Sequence, residues 1–219
     1  MTSILAGLGL AAAAGLNAWV ILLLFNGLYL LLPLEFPGSA AAWLSSHGVL
    51  TAAVVLFLLE FVADKIPIVD HLWNLLQTLL RPVVGALLML SCVPESPGPP
   101  RAVFALAGAA ATLATHFAKS TTRLTSTAAT RGFAQIALSL AEDVVAVALG
   151  ALMFFVPWFT WIFLAGLLLL LIVERRRVGE AAAVIFFRLK HPRRALREAA
   201  TAAAAAAEAT MAGPASREP

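Results

Sequence analysis

Apolar residues dominate the chain in long runs that short polar stretches separate. Six such runs are visible, at about Ile4–Leu32, Val49–Ala63, Leu72–Ser91, Ala102–Ala118, Phe133–Val156 and Pro157–Val173. They do not alternate every second residue, as the strands of a membrane barrel would, and about 20 apolar residues let a helix cross a bilayer. The pattern therefore predicts an all-α, polytopic transmembrane helix bundle of about six spans. The first run is long enough to tilt, or to break near Asn17.

Composition strengthens the membrane interpretation. The chain has 219 residues, of which 61% are hydrophobic and only 12% are charged, and its mean hydropathy is +0.92. Soluble domains are about one quarter charged. The chain therefore lacks the polar residues to cover its own surface, and we expect the lipid bilayer to be its main partner.

The net charge of +3 does not indicate nucleic-acid binding, because the basic excess is local. Residues 1–173 carry six basic and seven acidic side chains, whereas residues 174–219 carry nine basic and five acidic ones. This difference divides the chain into a transmembrane helical domain, 1–173, and a basic, Ala-rich tail, 174–219. The stretch Glu180–Lys190 reads as an amphipathic helix at the interface, where its basic side chains would contact anionic lipid.

Basic residues also predict the orientation. With both termini cytoplasmic and six spans, the inner side holds the basic loop 119–131 and Arg175, Arg176 and Arg177. Five or seven spans would put these two clusters on opposite sides, against the positive-inside rule.

A proline-rich loop over residues 94–100 separates two halves of three predicted helices each. Halves with an odd number of spans have opposite orientations, as in transporters built from inverted repeats. Glu60 and Glu142 would then lie in the second helix of each half. The sequence thus suggests an inverted repeat.

Ionisable and amide side chains interrupt the apolar runs at helical spacing. A charge in the middle of a membrane helix costs about 3 kcal/mol, so such residues face the bundle interior, form pairs or line a polar path. Spacings of three and four put them on common helix faces. The predicted polar core consists of Asn17, Glu60, Asp64, Lys65, Asp70, Asn74, Gln77, Arg81, His116, Lys119, Arg123, Gln135, Ser139, Glu142 and Asp143.

Two interpretations of this core remain open. In the structural one the charges only order the bundle, with Arg81 paired to Glu60 or Glu142, Lys65 to Asp64 or Asp70, and Arg123 to Asp143. In the functional one the core is a pathway for a proton or a small cation. The candidate ligands for a metal cation are Glu60, Asp64, Glu142 and Asp143. A variant is an anionic substrate held by Arg81, Lys119 or Arg123.

The sequence gives little indication of an enzyme. It has no pair of histidines at metal-binding helical spacing, no Gly-x-Ser-x-Gly turn and no phosphate-binding glycine loop. The single cysteine, Cys92, excludes an internal disulfide. We expect no cofactor and no catalytic residue, and a homo-oligomer is compatible with the sequence.

Several motifs resemble one bacterial family, catalogued as domain of unknown function 4126 (DUF4126). They are Gly7-Leu8-Gly9-Leu10-Ala11, Gly15-Leu16-Asn17-Ala18-Trp19, Glu60-Phe61-Val62-Ala63-Asp64-Lys65-Ile66-Pro67, Val69-Asp70-His71 with Trp73, Arg81-Pro82 and Ser139-Leu140-Ala141-Glu142-Asp143. The resemblance covers about residues 5–173 and implies a multi-pass protein of the bacterial inner membrane. It implies no activity.

A weaker likeness concerns Glu60-x-x-x-Asp64-Lys65, which is similar to the Glu-x-Gly-Asp-Lys-Thr motif of cation/proton exchangers. The spacing differs by one residue and the glycine is absent. Taken together, the sequence favours a small transporter or channel-like protein with a proton- or cation-coupled polar core. The alternative is a membrane scaffold or assembly protein that transports nothing.

Overall fold

The chain folds into helices throughout the part that the structure describes. The computed structural model describes residues 2–32, 36–63, 67–95, 100–127 and 133–173, with scattered positions of the tail. Within them the chain is all-α, with eight helices and no strand. The helices are α1 (Thr2–Ala14), α2 (Ala18–Leu31), α3 (Ala40–Leu44), α4 (His47–Ala63), α5 (Pro67–Cys92), α6 (Arg101–Thr127), α7 (Phe133–Phe155) and α8 (Phe159–Val173). The predicted all-α class is confirmed.

The first apolar run forms two helices, with the break where it was predicted. α1 ends at Ala14 and α2 begins at Ala18. Asn17 has extended backbone angles, and its side-chain oxygen accepts hydrogen bonds from the backbone N–H groups of Trp19 and Val20. This is the geometry of an N-cap, which starts a new helix. A glycine and a capping asparagine therefore end one helix and begin the next.

The other helices agree with the apolar runs except at four places, the first of which is the start of α5 at Pro67 instead of Leu72. α6 continues to Thr127, past the predicted end at Ala118, because polar residues end an apolar run without ending a helix. The short helix α3 lies in a stretch that gave no apolar run. Pro157 was predicted in the first turn of the last helix but lies just before α8, where its carbonyl accepts from the Thr160 N–H.

α1 is the central helix of the bundle. It packs against α5, α6, α7 and α8, and its residues from Leu10 to Ala14 are fully buried. The backbones of α5 and α6 are close where the two helices cross, since a Cβ added to Gly108 would lie 2.5 Å from the Gly85 carbonyl oxygen. Thr112 on α6 donates to the Ala11 carbonyl at 2.7 Å. Small residues thus bring three backbones together around the break, as small faces do in membrane bundles.

Pro82 lies inside α5, which continues without interruption from Pro67 to Cys92. Proline inside a helix removes one backbone donor and crowds the preceding turn. The helix nevertheless continues through it, so Arg81 and Gln77 stay on one uninterrupted helical face. Pro67 is the first residue of α5, where a missing N–H costs nothing.

One helical stretch, Arg101–Ser120, is both long and apolar enough to cross a membrane among the residues that are described. Five shorter apolar helical stretches, of 10–17 residues, accompany it: Ile4–Ala14, Ala18–Leu31, His47–Ala63, Leu76–Cys92 and Phe159–Val173. A single such helix is weak evidence for a membrane protein, and the six spans and the membrane location stay predictions.

The inverted repeat and the tail also stay predictions. α7 lies along α1, whereas α4, which holds the matching position in the other half, packs chiefly against α2. α4 and α7, which hold matching positions in the two halves, therefore pack chiefly against different helices. In the tail, the described residues Phe186 and Phe187 are helical and exposed, as an interfacial helix requires.

Candidate functional site

The break between α1 and α2 exposes backbone carbonyls to side chains from other helices. The N–H groups of Gly15 and Leu16 close the last turn of α1 by bonding to the carbonyls of Ala12 and Ala13. The Gly15 carbonyl accepts from Arg81 at 2.8 Å, and the Leu16 carbonyl accepts from Lys119 at 2.6 Å. The C-terminal end of a helix carries partial negative charge. Two cationic side chains thus lie on consecutive carbonyls at the negative end of α1.

Glycine is required at position 15 because α6 passes close to the break. A Cβ added there would lie 2.6 Å from the Thr115 Cβ and 3.0 Å from the His116 backbone nitrogen. Real Cβ atoms do not approach other atoms so closely, so any side chain would push α6 away. Gly15 therefore sets the distance between the break and the α6 side chains that reach it.

Arg81 is the centre of the first charge network. It is 2% exposed, and its Nη2 lies 2.8 Å from Glu60 Oε1. Its Nε donates to Gln77 Oε1 at 2.9 Å, and Gln77 Nε2 donates in turn to Glu60 Oε2 at 3.1 Å. The carboxylate, the amide and the guanidinium therefore form a closed ring. The predicted pairing of Arg81 with Glu60 is confirmed.

His116 brings α6 into this network. Its Nδ1 lies 3.0 Å from Arg81 Nη1, and its Nε2 lies 3.2 Å from Thr78 Oγ1. A guanidinium has only donors, so Nδ1 must accept. The hydrogen-bond network thus assigns the neutral ring with its proton on Nε2, facing the Thr78 hydroxyl. The imidazole stands between a fixed cation and a hydroxyl.

Lys119 and Glu142 form the second network. The Lys119 ammonium lies 2.9 Å from Glu142 Oε2, and both side chains are largely buried. At the adjacent residues, Asn17 Nδ2 donates to Asp143 Oδ1 at 2.8 Å. The two adjacent acids of α7 therefore divide, as their positions on a helix require. Glu142 contacts the Lys119 ammonium on α6, and Asp143 contacts Asn17 at the N-terminal end of α2, where negative charge is favourable.

The two networks meet at three consecutive residues. Gly15 holds the Glu60–Arg81 pair of α4 and α5, Leu16 holds the Lys119–Glu142 pair of α6 and α7, and Asn17 holds Asp143. We call this arrangement the break site. Predicted core residues that it brings together are Asn17, Glu60, Gln77, Arg81, His116, Lys119, Glu142 and Asp143.

Other predicted core residues lie outside the described part of the structure. Asp64 and Lys65 are in an undescribed segment, and for Asp70, Asn74, Arg123, Gln135 and Ser139 the backbone alone is described. The predicted pairings of Lys65 and of Arg123 with Asp143 therefore stay predictions.

Sequence reasoning missed one hydroxyl group and two backbone carbonyls of the site. It did not identify Thr78 or the carbonyls of Gly15 and Leu16 as members of the network. A signal for the carbonyls was present, because Gly followed by Asn is the signature of a helix end and a helix start. Nothing in the sequence distinguished Thr78 from the other threonines.

The described geometry favours ion pairs over a metal site. Within the described residues no group of three or more His, Cys, Asp or Glu side chains is placed to hold a metal ion. The carboxylates of Glu60 and Glu142 each bond to a basic side chain. A metal ion there would have to displace a guanidinium or an ammonium group. Of the other two candidate ligands, Asp143 accepts from Asn17, and Asp64 lies outside the described residues.

Comparison with known proteins identifies one family. The model of the domain of unknown function DUF4126 matches residues 4–177. No curated protein and no solved structure matches the chain. The matched region contains all residues of the break site.

Proposed function

The chain belongs to the DUF4126 family, and on that premise we propose that it is a multi-pass transporter or channel-like protein of the bacterial inner membrane. Its working part is the break site, and its transport step is coupled to protons. Neither the family description nor a relative supplies an activity, so the proposal depends on geometry and electrostatics.

The membrane location is supported by the distribution of side chains on single helices. On α5, Arg81 is 2% exposed whereas Leu79 and Val83 are 57% and 55% exposed. On α4, Glu60 is buried between the exposed residues Leu59 and Phe61. A soluble protein does not bury its charges and expose its large apolar residues in this way. Lipid around the bundle explains both observations.

The proposed topology differs from the predicted six spans in the first run: α4 to α8 cross the membrane, and α1 and α2 form a re-entrant hairpin. The Leu5 carbonyl accepts from Thr160 at the start of α8, and Gly7 lies against Cys92 at the end of α5, so α1 begins on the same side as the loop near residue 97. The C-terminal tail and the basic loop 119–131 are then cytoplasmic, whereas the N-terminus is on the outer side, against the prediction that both termini are cytoplasmic.

Three exposed tryptophans, Trp43 on α3 and Trp158 and Trp161 near the start of α8, would lie together at the outer interface, where tryptophan is enriched. Reporter fusions at residue 219 and in the loop near residue 97 should report opposite sides. The same side for both would exclude an odd number of spans between them and contradict this topology.

The single observation that carries the transport proposal is the matching of charge to the broken helix. Broken helices in transporters put half-helix ends and unwound carbonyls at the substrate and ion sites near the bilayer midplane. Here the cations Arg81 and Lys119 lie on carbonyls at the negative end of α1, and Asp143 lies at the positive end of α2. The thirteen residues of α1 rise about 20 Å, which puts the break inside the hydrocarbon layer.

The proton is favoured over a metal cation as the coupling ion. Glu60 and Glu142 already have basic partners, so a metal would compete with a tethered cation for each of them. A proton needs no such displacement, because it binds the carboxylate itself. Protonation of Glu60 would remove the charge that fixes Arg81 and so loosen its hold on the Gly15 carbonyl. The protonation state of Glu60 on α4 would then affect the break between α1 and α2.

The test is proton flux into liposomes that contain the purified chain and the pH-sensitive dye pyranine. A pH gradient and a potassium diffusion potential are imposed, and sodium, potassium, calcium, manganese, phosphate and sulfate are added one at a time. We expect faster internal acidification than in empty liposomes, alone or with one of these ions. Glu60→Gln should abolish it, whereas Glu95→Gln, which neutralises an exposed carboxylate in a loop, should not. Flux that Glu60→Gln leaves intact would contradict the proposal.

A scaffold without transport is the second candidate, and one observation favours it. The charges of the break site are held in short, buried ion pairs and hydrogen bonds, which is what a purely structural network requires. In this case the basic tail would bind a partner protein or anionic lipid. A co-purifying protein that is lost when residues 180–219 are removed, together with no flux in the liposome assay, would favour the scaffold.

A further inference from the structure

The Lys119 ammonium group occupies a position that resembles an ion site. Its Nζ lies 2.6 Å from the Leu16 carbonyl oxygen and 2.9 Å from Glu142 Oε2, and the residue is only 8% exposed. A carbonyl of unwound backbone at a half-helix C-terminus, with a carboxylate beside it, is the ligand type that binds monovalent cations in broken-helix transporters. The local field also favours a cation, because the α1 terminus and the acid both carry negative charge.

A small free cation could replace the ammonium group of Lys119 but not the guanidinium group of Arg81. The Arg81 guanidinium is planar and uses separate nitrogens to contact Glu60, Gln77 and the Gly15 carbonyl. No spherical ion reproduces that fork. The Lys119 group is a compact point charge on a flexible stem from α6. Of the two cations on the break, only the ammonium has the size and symmetry of a small monovalent ion.

We propose that the Leu16 carbonyl and the Glu142 carboxylate form a monovalent-cation site that Lys119 fills with its own side chain. The native chain carries a tethered cation there and binds no free sodium or potassium at this position. The functional significance of this inference rests on the proposed function, because a tethered cation at this position explains why the break site would exchange protons and not metal ions. Its physical content, a cation site hidden under a lysine, is measured without any transport.

The experiment uses thermal unfolding of the full chain in detergent, followed by the reaction of a thiol-reactive dye with Cys92, which is buried when the chain is folded. Wild type, Lys119→Ala and Lys119→Gln are compared in sodium, potassium, methylammonium and choline chloride at equal ionic strength. Choline is too large for the site and serves as the reference salt. Arg101→Met is the matched control, because it removes a cation from an exposed ion pair.

We expect the unfolding temperature of wild type to be the same in all four salts, and likewise that of Arg101→Met. Lys119→Ala should unfold at a lower temperature in choline and recover in sodium, potassium or methylammonium, in a saturable way. At a concentration roughly tenfold above the dissociation constant the recovery should be about 3–6 °C. The recovery should vanish when Glu142→Gln is added to Lys119→Ala, because the carboxylate ligand is lost.

Three results would overturn the inference. The first is a folded Lys119→Ala or Lys119→Gln chain that responds alike to all four salts. The second is a pair of Lys119 variants that fail to fold in every salt, methylammonium included. The third is a specific stabilisation of wild type by sodium or potassium that Glu142→Gln removes, since it would mean that a free ion binds beside Lys119. None of these results depends on flux, so the proposed function can fail while the cation site is confirmed, and the reverse.

Discussion

Replacing Arg81 with methionine tests the buried ion pair at the centre of the site. Methionine keeps much of the apolar stem and removes the guanidinium. The change takes the cation away from Glu60 and the donors away from Gln77, His116 and the Gly15 carbonyl. Glu60 is 7% exposed, so water cannot fully replace what is lost.

The expected loss is large because only one partner of the pair is removed. Breaking a buried ion pair in this way costs about 3–5 kcal/mol, whereas removing both charges together can be nearly neutral. For a chain of this size each kcal/mol shifts the unfolding temperature by about 2–4 °C. Arg81→Met should therefore unfold about 6–20 °C below wild type. The double variant Glu60→Gln/Arg81→Met should recover a substantial part of that loss.

Dye reaction at Cys92 measures these temperatures in detergent, and Arg101→Met again serves as the control. Arg101 pairs with Glu95 at the same 2.8 Å separation, but both side chains are exposed, so its loss should shift the unfolding temperature far less. An Arg81→Met shift no larger than that of Arg101→Met would refute the reasoning. So would a double variant that is less stable than Arg81→Met, because the cost would then not come from an unpaired carboxylate.

Three further changes test the packing, the cap and an exposed carboxylate. Gly108→Ala should lose about 1–3 kcal/mol by overpacking, since its Cβ would lie 2.7 Å from the Met89 Cβ; Gly166→Ala, which meets nothing within 4 Å, should lose nothing, and equal unfolding temperatures for the two would contradict this packing. Asn17→Ala should lose about 1 kcal/mol for the cap and more for the bond to Asp143, whereas Asn17→Ser, which keeps a capping oxygen, should lose less; the opposite order would show that the cap does not matter. The Ser39 hydroxyl and then Arg101 lower the pKa of Glu95, so its contribution to stability is complete above the ordinary carboxyl pKa and disappears as the pH falls through the lowered value. The difference in unfolding temperature between wild type and Glu95→Gln should therefore shrink from pH 7 to pH 3, and a constant difference would contradict this.

The helices and the polar side of each could be predicted because both depend on local spacing. Gln77 and Arg81 are four residues apart, and the structure puts both on the buried side of α5. The break near Asn17 was predictable for the same reason, since the capping residue is next to the helix that it begins. Such features need no knowledge of the other helices.

The partners of each charge could not be predicted, because they depend on how distant helices pack. The sequence offered Glu60 and Glu142 equally as partners of Arg81, and only the approach of α4 to α5 decides for Glu60. Lys119 and Glu142 were both predicted in the core, but their pairing was not. The Gly15 and Asn17 signature predicts where backbone carbonyls are freed but not which side chain reaches them, so the contact of Lys119 with Leu16 is known only from the crossing of α6 over the break.

The most direct test of the account compares flux and stability on the same preparations of wild type, Glu60→Gln and Glu95→Gln. The central claim is that the charged residues at the break take part in proton transport and do not only stabilise the helix bundle. We expect proton flux in wild type and Glu95→Gln, and a Glu60→Gln chain that remains folded at the assay temperature but carries none. Absence of flux in all three proteins, with a loss of stability confined to Glu60→Gln, would contradict the claim and leave the network a structural one.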